Sequence, residues 1–241
     1  MKKDATHTIR RAEHFKTILT GEGFLVGLIA GLVVLLYRVL LEYAGRAMNV
    51  ILGYSRENPA AAGAWFVLLI LMACIVGKLV KWEPMISGSG IPQVEGEMTG
   101  KLEQVWWRVL PAKFLGGFLS LLAGLSLGRE GPSIQIGAMT GKALSKALDR
   151  GKTEEKYLLT CGASAGLAAA FHAPLAGVMF SLEEIHKNFS VSVLVSVMTA
   201  SITADYVSSQ FLGFHSVFQF DIGAEIQPRY YWHILILGVI L

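Results

Sequence analysis

The sequence predicts an all-α, multi-pass membrane protein, and three observations carry that prediction. Apolar residues make up 53% of the chain and charged residues only 16%, with a mean hydropathy of +0.52, whereas soluble domains carry about a quarter charged residues. The apolar residues come in blocks rather than amphipathic stripes, and no alternating pattern competes for a strand. The cleanest block, Pro59 to Gly77, is uncharged throughout and close to the roughly 20 residues an α-helix needs to cross the hydrocarbon core.

In chain order, residues 1–22 are basic and read as a cytoplasmic interfacial helix, formed over about 4–19, that is retained and not removed as a signal peptide. A long span follows over about 23–52, with Arg38 inside it held by snorkelling or pairing. A second covers about 60–80. Lys2, Lys3, Arg10, Arg11 and Lys16 precede the first span and Lys78 and Lys81 follow the second. The positive-inside rule then puts both flanks in the cytoplasm and residues 42–58 outside. Further helices are expected after Pro92 and over about 106–124, 132–149, 154–170, 174–187 and 190–212. Residues 213–229 read as a loop and a new helix starts near Tyr230. Leu241 falls within the apolar run WHILILGVIL, so a segment cut short is expected there.

The formal net charge is only +3 and the basic residues gather at segment ends. They therefore report topology and lipid-headgroup contact, not nucleic-acid binding. Cys74 and Cys161 lie in apolar stretches without CxxC spacing and read as inert thiols.

Several apolar segments are interrupted by Gly, Pro or polar residues. Lipid cannot satisfy the backbone groups that such breaks expose, so they must be buried in protein or line an aqueous cavity. Transporters use broken helices of this kind to aim half-helix ends at a solute. Ser87-Gly88-Ser89-Gly90-Ile91-Pro92 puts two glycines and a hydroxyl before a proline suited to the first turn of a helix. Its unpaired N–H groups and the Ser89 hydroxyl can face an anion. Gly128-Arg129-Glu130-Gly131-Pro132 repeats the design, with a helix expected from Pro132 and a carboxylate at its entrance. In a cradle of partial positive charge Glu130 is a tethered anion that competes with a free one until it is protonated. An ordinary capped helix start would explain either loop alone; two inside membrane segments point to an anion pathway.

Other polar residues leave alternatives open. Glu183 and Glu184 suit a solvated helix end beside Lys187. With His186 they also have the Glu-x-x-His spacing of di-iron bundles, but no second such pair occurs in the chain. His172, just before Ala173-Pro174, reads as a structural histidine at a helix break. The small residues of GASAGLAAA and LGGFLSLLAG read as close helix packing.

The segments GSGIP, WWRVLPAKFLGG, GREGP and GASAGLAAAFHAPLAGVMFSLEE, in this order, resemble the CLC family of chloride channels and chloride/proton antiporters over most of residues 23–212. The resemblance is to an N-terminal half and is nearest to the bacterial antiporters. It implies CLC-type broken and tilted helices, with residues 23–212 as the first of two inverted repeats and residues 230–241 starting the second. It implies an ion transporter, not an enzyme, that moves chloride and protons without a cofactor in a prokaryotic inner membrane. Gly88, Ser89, Gly90, Ile91, Arg129 and Gly131 would bind chloride, with the serine at 89 going with chloride preference. Glu130 matches the gating glutamate and Glu184 the internal proton-transfer glutamate of the antiporters, with Glu183 beside it in a supporting place. Glu95 and Lys113 stand where relatives carry a Glu and a Lys, and would form a buried ion pair behind the pore.

The reading is therefore chloride/proton antiport. Its rivals are a passive channel of the same architecture, an incomplete half that needs a partner chain, and a membrane metal enzyme using His172, Glu183, Glu184 and His186. The family's later anion-binding loop and closing tyrosine do not appear. Family members are homodimers, so dimerisation through 174–187 and 190–212 is expected once a second half is supplied.

Overall fold

The computed structural model describes the backbone of residues 2–187, 190–213 and 227–240 and the side chains of 16–187, 190–213 and 227–239. Within these residues the regular elements are all helical. They are α1 (Lys2–Glu57), α2 (Pro59–Trp82), α3 (Ile91–Met98), α4 (Trp106–Leu122), α5 (Glu130–Ala147), α6 (Lys152–Phe171), α7 (Pro174–Phe180), α8 (Val191–Leu212) and α9 (Tyr231–Ile240). A 3₁₀ turn, Pro84–Ile86, precedes the first loop, a π-helical turn, Ser181–His186, continues α7, and a second 3₁₀ turn, Pro228–Tyr230, leads into α9.

Three helices are long and apolar enough to cross a membrane: Lys16–Glu57 of α1, all of α2 and all of α8. The expected interfacial helix and first span are in fact one helix, Lys2–Glu57. Gly21 and Gly23 do not break it, because no proline stands nearby and Gly23 serves a contact instead. A Cβ on Gly23, Gly27 or Gly31 would run into Ser196, Ala200 or Ala204 of α8, so the bare glycine face is what lets α1 and α8 lie against each other. Most of the expected 213–229 loop lies outside the described residues.

At the centre α5 and α6 pack closely, with Gly137 against Gly162 and Gly166 against the Ser133 carbonyl. The inner faces of α1, α6 and α8 fill one apolar core, including Val26, Val34, Ala165, Val197 and Ala204. A second core lies between α3, α4, α5 and α6, around Val94, Val109, Ile134 and Leu159.

The break between α6 and α7 shows how exposed carbonyls are satisfied without water. His172 caps α6 in the left-handed region at φ 54°. The Ala169 carbonyl accepts from the Ser208 hydroxyl (3.1 Å) and the Arg38 guanidinium (3.4 Å), and the Pro174 carbonyl from Ser201 (2.7 Å). Arg38 thus does not snorkel; it is buried against this break and pairs with Glu42 at 3.6 Å.

One ion pair and one cavity orient the bundle. Glu22 of α1 pairs with Arg150 of the α5–α6 turn, and Glu42, twenty positions further along α1, lines a cavity beside Arg129 and Glu130. Twenty helical residues rise about 30 Å, the thickness of a hydrocarbon core. The basic ends of α5 and α6 therefore share a face with the N-terminus, opposite the mouth that holds Glu130.

Candidate anion site

The two glycine loops meet. A Cβ on Gly131 would stand 2.5 Å from the Ser89 carbonyl oxygen, and one on Gly90 2.5 Å from Oε1 of Gln135, so α3 and α5 start against each other with no room for a side chain between them. Gly90 is the N-cap of α3 at φ 104°, a conformation that glycine adopts without the Cβ penalty. Its neighbour Ile91 donates its N–H to Ser89 Oγ (3.3 Å). Ser89 accepts this bond and keeps its own proton to donate. Ile91 and Ser89, both expected to face an anion, line one cavity.

Helix α5 begins at Glu130, with Arg129 as N-cap, two residues earlier than expected. Pro132 falls at the third helical position and not the first; it forfeits no bond there, because the first four N–H groups of a helix have no intrahelical acceptor. Gly131, Ser89 and Glu130 line one cavity of about 590 Å³ together with Gly88, Lys113 and apolar residues of α2 and α4. Glu130, Gly128 and Arg129 line a second, of about 410 Å³, with Glu42 and Phe171. Glu130 therefore borders both cavities. Beside it the Arg129 guanidinium lies 5.7 Å from the Phe171 ring centre, in cation–π range.

Lys113 and Glu95 do not pair. The buried Lys113 ammonium donates to the Ile86 and Gly88 carbonyls, both at 2.9 Å, and so ties down the first loop from below. Glu95 faces Lys187 at 3.6 Å. The reason is register: Glu95 is a full turn into α3, away from the loop that Lys113 underpins. Lys187, engaged there, is not the partner of Glu183 or Glu184.

Glu183 and Glu184 lie exposed on the π-helical turn, and among the described residues no hydrogen bond links either to Glu130. The four residues of the metal-enzyme alternative are split. His172 Nδ1 is within 3.1 Å of Asp205 and 3.3 Å of Ser209, whereas His186 shares a 3.1 Å hydrogen bond with Thr160. Thr160 and His172 are twelve positions apart on and just beyond α6, about 18 Å along its axis. Sequence reasoning missed the buried polar residues Glu97, Gln104, Gln135 and Lys142. Only Gln135, a lone amide in an apolar turn after Glu130, carried a local signal.

A sequence profile described as "Voltage gated chloride channel" matches residues 71–241. The chain belongs to this family. Among its curated relatives are the H(+)/Cl(-) exchange transporters ClcA of Salmonella paratyphi B and Salmonella newport, each 39% identical over 179 residues. These matches cover 73% of this chain and 38% of each relative, so the chain spans well under half of their length. A solved slow cyanobacterial Cl⁻/H⁺ antiporter superposes with a TM-score of 0.79 at 32% identity, over 92% of this chain and 53% of the other. A CLC-type fluoride/proton antiporter shares the fold, at a TM-score of 0.70 and 23% identity, over 93% of this chain and 54% of that one. The relatives named here are ion transporters, and this voltage-gated chloride channel family member has the all-helical, apolar architecture expected of one.

Proposed function

We propose that the chain forms the first half of a chloride/proton antiporter, with Glu130 as the gate and Glu184 as the internal proton acceptor. The observation that carries the reading is that Glu130 borders two cavities, one of which holds the Ser89 hydroxyl and the adjoining starts of α3 and α5. A carboxylate there fills the passage as a fixed anion; once protonated it ceases to compete with chloride, which ties anion movement to proton movement. Gly88, Ser89, Ile91 and Gly131 from the first cavity and Arg129 from the second contribute the anion's surroundings, Gly90 shapes the first loop, and Lys113 offsets the carbonyls behind them.

The protein would lie in a prokaryotic inner membrane with its N-terminus cytoplasmic, since the basic ends of α5 and α6 share the face of the basic N-terminus. Residues 230–241 would begin a second, inverted repeat, and the exposed apolar faces of α7 and α8, with Leu175, Met179, Ile202 and Tyr206, would meet lipid or a second copy.

In reconstituted vesicles Glu184→Gln should keep chloride flux and lose uphill proton movement, while Glu130→Ala should uncouple the two. Uphill proton movement that survives Glu184→Gln would remove Glu184 from the role. A passive channel is the second reading, favoured by the absence, among the described residues, of a hydrogen-bonded route from Glu184 to Glu130. It predicts no uphill proton movement in the unmodified protein.

A further inference from the structure

Behind the anion site runs a buried chain of polar side chains that the transport reading does not use. On the face shared with the N-terminus, Glu97 and Lys142 line a cavity of about 640 Å³ together with Lys101, Lys152, Lys156 and His186. Glu97 and Lys142 form an ion pair in its wall, and the ammonium also donates to the Gln104 carbonyl at 2.6 Å. The Gln104 amide donates to the second oxygen of Glu97 (3.0 Å), and its own carbonyl oxygen accepts from Nε2 of Gln135 (2.6 Å). Nε2 of Gln135 donates again to the Met85 carbonyl (2.8 Å), while Oε1 lies against Gly90. Lys142, Gln104 and Gln135 are at most 3% exposed and Glu97 is 9% exposed, so water does little to loosen the chain.

The chain has a fixed direction. An ionised carboxylate only accepts, so Glu97 obliges Gln104 to present its NH₂. Gln104 then offers its oxygen to Gln135, which must turn its NH₂ toward Gln104 and Met85 and its oxygen toward Gly90. Met85 and Gly90 are the two ends of the segment that carries Ser89, and Gln135 belongs to the helix that carries Glu130. One side chain thus clamps the Ser89 loop to the start of α5.

We propose that Gln135 is a positioning residue for the anion site, oriented by Gln104 and the Glu97–Lys142 pair, which holds Ser89 at its distance from the start of α5. The inference rests on the chloride reading for its transport readout but not for its structural one. In Gln135→Met the shape is kept and both donated bonds are lost. Chloride flux into vesicles should then require about tenfold more chloride for half-saturation, with the maximal rate within about twofold of the unmodified protein. Hydrogen exchange of the backbone amides from Ser87 to Ile91 should rise in the same variant, with or without chloride. Should Gln135→Met fail to fold, the neutral double variant Glu97→Gln, Lys142→Met leaves Gln135 in place but frees its orientation, and should move both readouts the same way by a smaller factor.

Unchanged exchange over Ser87–Ile91 overturns the proposal, as does a maximal rate that falls while half-saturation stays put. If the unmodified protein carries no chloride, the transport reading fails; a rise in exchange would still uphold the clamp, and unchanged exchange would still sink it.

Discussion

The Glu130 carboxylate borders both cavities at once, so on the proposed reading its two protonation states differ in whether a fixed negative charge sits in the passage. Chloride flux through the unmodified protein should therefore climb as the outer solution is acidified, whereas flux through Glu130→Gln should be flat across the same range; a vesicle efflux series over pH distinguishes them. Lys113 acts differently, through the backbone. Its removal in Lys113→Met would leave the Ile86 and Gly88 carbonyls without their donor, at a cost of about 2–3 kcal/mol for bonds to a charged group. Unfolding in detergent measures it, and a change below about 0.5 kcal/mol would mean that water replaces the ammonium. Glu130 and Ser89 were legible as candidates because their loops are local motifs. The partner of Lys113 was not, because a carbonyl acceptor leaves no trace in side-chain identity.

Among the elements, glycine spacing decides which helices touch. Gly27 of α1 faces the Ala200 backbone with no space for a Cβ, whereas Gly45, further along the same helix, has nothing within 4 Å. Gly27→Val should destabilise the bundle by about 1–3 kcal/mol through overpacking, and Gly45→Ala should be neutral or stabilising by up to about 1 kcal/mol. Thermal unfolding of the two variants side by side tests the assignment; equal effects would contradict it. Most helix positions could be read from apolar blocks and prolines. The join of residues 4–19 to 23–52 into α1 could not, since Gly21 and Gly23 look like a break until α8 is seen to use the second of them.

Over the whole molecule, the Glu22–Arg150 pair and the Glu42-lined cavity mark opposite faces about 30 Å apart. In a background without Cys74 and Cys161, an impermeant maleimide should label Asn58→Cys, in the α1–α2 turn, from outside intact cells. Thr153→Cys, at the start of α6 beside the lysine-lined cavity, should react only after permeabilisation. The reverse pattern would invert the orientation. Lys2 to Lys16 and Lys78 to Lys81 set this orientation as an expectation from charge alone, but which later segments share the N-terminal face became visible only through Arg150.

The amino-acid sequence by itself determined the solvent, the helical class, the family resemblance and the two glycine-bounded loops, because each is written in contiguous residues: apolar blocks of spanning length, and glycines and prolines at fixed offsets. Tertiary structure alone decided that the loops touch, that Lys113 holds carbonyls and not Glu95, and that Glu130 borders two cavities. It also brought Gln135, Gln104, Glu97 and Lys142 into one buried chain. These residues come from α3, the α3–α4 connection and α5, up to 45 positions apart. A hydrogen bond across such a separation depends on how helices dock and not on any local pattern, so only the folded bundle discloses it.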